Sequence, residues 1–171
     1  MRHNIMKFIG HLIILVLILL TTVMAGFSTL AFCQEEDLGR MADDLKYETA
    51  RYFFENRLYD KCLFEMREYL EIYSNVVHRK EAYMTIADIH FKRYDYSKAA
   101  KTYIALYEEF SNSDEGLQAY LNASACYEKM GNEKKAREIL KQIIIDHPDS
   151  RHASLAQTRL EVLEMTGKSG K

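Results

Sequence analysis

One amphipathic phrase is written three times at a fixed interval. RLYDKCLFEMREYLEIY at 57–73 is followed by RYDYSKAAKTYIALYEEF at 93–110 and by GNEKKAREILKQIIIDHP at 131–148. Cys62, Ala99 and Ala136 hold the same place in each copy, 37 residues apart. Downstream of that mark the apolar positions keep one phase: Met66, Tyr69, Leu70, Tyr73, then Tyr103, Leu106, Tyr107, Phe110, then Leu140, Ile143, Ile144, His147. Such spacing draws a single stripe along an α-helix. Upstream lies a second helix with its own stripe, carried by Tyr83, Ile86, Ala87, His90 and by Tyr120, Ala123, Ser124, Tyr127, and more weakly by Lys46, Thr49, Ala50, Phe53. Small residues at Ala50, Ala87 and Ser124 allow close approach of two helices, and Phe53, His90 and Tyr127 fill the crossing. The repeating unit is therefore a helical hairpin. A chain that repeats one hairpin has no single central core and must bury each copy against the next.

The punctuation between stripes agrees. Gly131 can end one helix in a left-handed conformation while Asn132 caps the next, and Asp95 can cap the second helix of the middle copy. Pro148 closes the third copy, and Ser150 opens a further helix with Ala153, Ala156, Leu160 and Leu163 on one side, suited to cover the end of the stack. With no Trp, one Pro and seven Gly in 171 residues, the composition is that of a helical protein.

These residues carry a resemblance. The three units resemble tetratricopeptide repeats, whose first-helix positions are matched by Tyr83, Ile86, Ala87 and Tyr120, Ala123, Ser124. The second-helix positions are matched by Ala99, Tyr103, Leu106 and Ala136, Leu140, Ile143, and the closing proline by Pro148. The spacing is longer than the family's usual one, Cys62 replaces an alanine, and Ser74 and Ser111 stand where proline is usual. The longer spacing with the His147-Pro148-Asp149-Ser150 linker is similar to repeats of bacterial envelope proteins, among them the Tol-Pal-associated periplasmic protein and the lipoprotein of the β-barrel assembly machine. The resemblance implies an all-α, right-handed α-solenoid. Repeats fall at about 42–74, 79–111 and 116–148, with a capping helix at 150–165, a domain spanning 34–165 and a disordered tail at 166–171.

Residues 1–33 read as a separate object. Arg2 and Lys7 precede an uncharged stretch from Leu12 to Phe32, and Glu35, Glu36 and Asp37 follow. That order is expected of an export signal or membrane anchor. Three fates fit it: cleavage near Ala31 or Cys33, lipidation of Cys33 in a Leu30-Ala31-Phe32-Cys33 segment that resembles a lipobox, or retention as a spanning anchor. Each places the repeats outside the cytoplasm, in the periplasm or attached to a membrane facing it. Residues 34–171 then hold 21 Lys and Arg against 25 Asp and Glu, which gives no electrostatic reason to bind nucleic acid.

No catalytic signature is present in the sequence: no GxSxG, HExxH or Walker loop. His90 occupies the packing place that Phe53 and Tyr127 hold in sister copies. His147 and His152 lack Cys or carboxylate partners at metal spacing, so neither a metal nor a cofactor is expected. Cys62 and Cys126 lie in different copies and are expected to stay unpaired. The lysines of 129–141 alternate with Glu128, Glu133 and Glu138 as on a solvated face.

The first helices of stacked repeats line a concave surface, and the resemblance implies that it receives a protein partner. Its positions map onto Tyr47, Arg51, Phe54 and Glu55, then Met84, Asp88, Phe91 and Lys92, then Leu121 and Glu128. Phe54 and Phe91 are large and apolar at places the repeat does not need for its own packing, which leaves two readings: exposed contact residues, or side chains packed against each other and neighbouring helices. The expected function is a non-catalytic interaction scaffold with no small-molecule substrate. The alternative is a subunit packed permanently into an outer-membrane assembly or secretion machine, with no peptide groove.

Overall fold

The computed structural model describes residues 20–21, 37–74 and 76–169, so the expected signal or anchor and Cys33 lie outside the described residues. Two compact units are present, Met1–Asp44 and Leu45–Lys171. In the first, residues 37–44 are helical, and Arg40 pairs with Asp37 one turn away.

In the second unit, α1 (45–55) is followed by α2 (Tyr59–Ile72), α3 (Val76–Lys92), α4 (Tyr96–Glu109), α5 (Asp114–Lys129), α6 (Glu133–Asp146) and α7 (Arg151–Ser169). No strand occurs among the described residues. From α2 onward each helix packs on the next, and α3 also meets α5, as α5 meets α7. Alternation of these two contact types is the pattern of stacked hairpins. Ala50, Ala87 and Ser124 are fully buried, as are Cys62, Ala99 and Ala136, so both sides of each hairpin crossing are small. Around these crossings sit larger side chains, Met66, Tyr69 and Ile89 at one end and Leu106, Ile139, Leu140 and Ile143 at the other. Each such burial contributes about 1.5–3 kcal/mol. Cys62 and Cys126 are both free thiols within this core.

The three hairpin turns share one geometry. Arg57, Tyr94 and Gly131 all take a positive φ, at 59°, 63° and 73°. In each turn that residue donates its N–H to a carbonyl three residues back, and the following residue donates to one five back. The first pair is Arg57 to Phe54 at 3.0 Å and Leu58 to Phe53 at 2.9 Å, and the third is Gly131 to Glu128 and Asn132 to Tyr127, both at 2.9 Å. This double bond satisfies the last carbonyls of the helix and asks for a left-handed residue, which glycine alone adopts without steric cost. Asp95 and Asn132 then cap α4 and α6 by accepting from the N–H of Lys98 at 3.5 Å and of Lys135 at 3.2 Å, whereas Leu58 offers α2 no side-chain cap.

Links between hairpins differ more. Ser113 accepts from the N–H of Gly116 at 3.0 Å while its hydroxyl donates to Phe110, and Ser150 repeats the arrangement with Ala153 and His147. Gly116 is needed here, since a Cβ on it would lie 2.0 Å from the Phe110 carbonyl oxygen. Between α2 and α3 a side chain acts instead. Arg79 donates from Nη1 to the carbonyls of Leu70 at 2.8 Å and Tyr73 at 2.6 Å, and its Nε and Nη2 hold Glu109 of α4 at 2.5 and 2.9 Å.

On α7, Ala153, Ala156, Leu160 and Leu163 are buried. The places that would face a further second helix are Gln157, Glu161 and Glu164, all exposed, so the stack ends in a polar face. α7 runs from Arg151 to Ser169, where the sequence expects a capping helix over 150–165.

Candidate protein-binding groove

The first helices α1 and α3 enclose an open groove of about 450 Å³. Arg51, Phe54 and Glu55 line it from α1, and Met84, Thr85 and Asp88 from α3. Arg51 sits between two carboxylates of its own helix, Glu48 at 3.3 Å and Glu55 at 3.2 Å, and remains exposed. The Glu55 hydrogen bond, then the charge of Glu48, hold its guanidinium protonated beyond the ordinary arginine range. Across the groove the Lys92 ammonium lies 4.8 Å from the centre of the Phe54 ring, a cation–π contact that joins the two helices at one end. Among the expected residues, Arg51, Glu55 and Lys92 are exposed, and Met84 and Asp88 are half-buried.

Other expected residues do not serve as open contacts. Tyr47 is only 5% exposed. Its ring stacks on His78 at 4.2 Å, and its hydroxyl donates to Glu81 at 2.5 Å, so it builds the groove wall. Burial first, and the Glu81 bond second, push that phenol far above its usual range. Leu121, the same repeat position in α5, is buried in the core. The position lies where successive first helices meet, and the neighbouring helix covers it.

Phe54 and Phe91 are half-buried rather than exposed. Phe54 packs on Tyr59 at 6.0 Å and Phe91 edge-on to Tyr96 at 5.2 Å, each against the first residue of its own hairpin's second helix. The third copy exchanges this aromatic pair for Glu128 and Glu133. Glu128 is half-buried, and its Oε1 has no hydrogen-bond partner among the described residues. Asp88 is engaged as well, accepting from the Tyr103 hydroxyl at 2.6 Å. Glu81 and Thr85 complete the groove and were missed by position mapping, although Glu81 lies one helical turn before Met84 on the same face.

His90 is buried at 5% exposure in the packing place the sequence assigns to it. The charged face of α6 is solvated, with Arg137 bonded to Glu133 at 2.8 Å and Lys135 to Glu138 at 3.3 Å. No described helix is long and apolar enough to cross a membrane, and no cluster of His, Cys, Asp or Glu able to hold a metal ion occurs among the described residues.

Stacked hairpins whose first helices line a groove, with Ala99 and Ala136 fully buried at the crossings, are the frame in which sequence comparison decides. Residues 90–160 match the tetratricopeptide repeat family. The matched tetratricopeptide segment runs from the end of α3 into α7. In fold, the chain is similar to the TPR2AB domain of yeast Sti1, solved as a complex with pHSP90, with a TM-score of 0.56 and 17% sequence identity over 75% of this chain. This chain spans 48% of that one, about half its length. That likeness concerns the helical architecture. No curated protein matches the sequence.

Proposed function

We propose that this chain is a non-catalytic scaffold that binds a protein partner through the groove between α1 and α3. Tetratricopeptide arrays in general mediate protein–protein contact through such concave surfaces. The observation that carries the reading is the groove itself, open, lined by both charges and by Phe54 and Met84, and bridged by Lys92. Its chemistry suits an extended or helical peptide with an apolar side chain between charged ones. The pHSP90 complex of the yeast Sti1 domain supports a protein as the kind of partner. An exported, envelope-facing location completes the proposal, resting on the uncharged stretch from Leu12 to Phe32 between Arg2, Lys7 and the acidic residues 35–37.

Photo-crosslinking in the native cell tests it, with the probe replacing Thr85 in the groove and a control probe replacing Lys134 on α6. One protein trapped from Thr85 and not from Lys134, and lost in an Arg51→Glu, Lys92→Glu variant of unchanged melting temperature, is the expected result. Equal trapping from both positions, or trapping indifferent to the charge reversals, would overturn the groove reading.

A further inference from the structure

A second concavity lies away from the groove, between the second helices α2 and α4 and floored by α3. Its volume is about 330 Å³, at the small end of ligand-sized cavities. Leu70, Tyr83, Ile86 and Ala105 provide an apolar floor, and Arg67, His90, Lys98 and Lys101 stand around it with no acidic residue in the lining. The chain as a whole carries a formal charge of −2, so this concentration of cations runs against the average.

The cations differ in how far they are engaged. Lys98 is paired with Asp95 at 2.7 Å. Among the described residues Arg67 and Lys101 make no ion pair, and both are exposed. Arg67 donates from Nη2 to Nε2 of His90 at 3.2 Å. Burial, and then the Arg67 charge, hold that imidazole below its ordinary range and hence neutral, so it accepts from Arg67 without cancelling its charge. A buried ring thus fixes one edge of a guanidinium whose other edge remains available.

The sister junction, 37 residues on, shows that the repeat does not require such a cleft. There Ile104 replaces Arg67, Tyr107 replaces Leu70, Tyr127 replaces His90 and Ile139 replaces Thr102. Tyr107 stacks on Tyr120 at 4.1 Å and 2°, filling the space that Leu70 leaves beside Tyr83. Lys135, the counterpart of Lys98, pairs with Glu138, which stands where the first junction has Lys101. One junction is packed and neutralised; the other is open and cationic.

We propose that the α2–α3–α4 cleft binds a small amphipathic anion, a single anionic head on a short apolar body. Arg67 and Lys101 take the head, and Leu70, Ile86 and Ala105 receive the body. Carboxylate and phosphate heads share this chemistry, and the probes distinguish them.

The test is a titration of the ¹⁵N-labelled 171-residue chain, followed by amide shifts, with hexanoate and with phenyl phosphate as probes. Saturable shifts confined to Arg67, Leu70, His90, Thr102 and their neighbours are expected for at least one probe, and the tighter of the two names the head group. Acetate and hexanol, each lacking one half of the chemistry, should bind more weakly by about tenfold or more. An Arg67→Gln, Lys101→Gln variant should lose affinity by a similar factor with the remaining spectrum unchanged. Leu70→Tyr, which installs the residue of the packed junction, should abolish binding without lowering the melting temperature. Absence of saturable shifts with both probes, hexanol binding as tightly as hexanoate, or unchanged affinity in the double variant would overturn the assignment.

Discussion

The first and last thirds of the repeat array build the same hairpin by different means. In the third hairpin each local rule is met: Gly131 takes the left-handed turn, Asn132 caps α6, Ser113 caps α5 and Ser150 starts α7. In the first, Arg57 is forced to a φ of 59°, Leu58 caps nothing, and the link to the next hairpin is held by the long reach of Arg79. A left-handed non-glycine residue costs about 1–2 kcal/mol and a missing cap about 1. The N-terminal hairpin therefore rests on tertiary packing, with Tyr69, Met66 and Cys62 fully buried, where the C-terminal one also has local encoding. The family match over residues 90–160 falls largely where the local rules are met.

The sharpest way to break this comparison is at the two links. Gly116→Ala forces a Cβ to 2.0 Å from a backbone oxygen and should cost about 2–3 kcal/mol in urea unfolding. Arg79→Met, at the same repeat position, should cost about 2 kcal/mol, because two carbonyls and a carboxylate lose their donor. Arg79 also confers a pH signature. Its hydrogen bond, ahead of the opposing effect of burial, holds the Glu109 carboxyl below the usual glutamate range. A carboxyl depressed in the folded state stabilises at pH above its unfolded value, about 4.3, and that stabilisation is lost as pH falls through the folded value. Stability of the native chain should drop across that acid window, and the drop should be shallower in Arg79→Met.

The turns give smaller, opposite effects. Gly131→Ala should destabilise by about 1 kcal/mol, and Arg57→Gly should stabilise by about 0.5–1 kcal/mol, both read as shifts of the urea midpoint at constant slope. Smallest is Leu58→Asp, which supplies the absent cap to α2 and should raise stability by about 0.5–1 kcal/mol. If Arg57→Gly and Leu58→Asp are both neutral, the N-terminal hairpin is not locally frustrated and the contrast fails.

The hairpins were legible in the sequence because stripes at helical spacing and small crossing residues recur in phase, and neither depends on distant parts of the chain. The groove was legible only in part. Arg51, Glu55 and Lys92 are exposed because charge keeps them in water wherever the helix lies. Tyr47 and Leu121 share a repeat position with Met84, and whether that position is open depends on the adjoining helix, which no single repeat records. For Phe54 and Phe91 the sequence leaves contact and packing both open, because their partners, Tyr59 and Tyr96, lie in the following helix. The cationic cleft is a difference between copies, visible on setting Leu70 beside Tyr107, and its depth follows only from how α2, α3 and α4 pack.

Cys62 and Cys126 stand one in each end hairpin, both fully buried, and burial pushes each thiol up to about 11. Neither can react with an alkylating reagent until the helices around it separate, so the modification rate of each measures the opening of its own hairpin. Followed by peptide mass, the two rates in one sample give a map of fraying along the stack. Cys62 should be modified first, from the end that relies on packing alone.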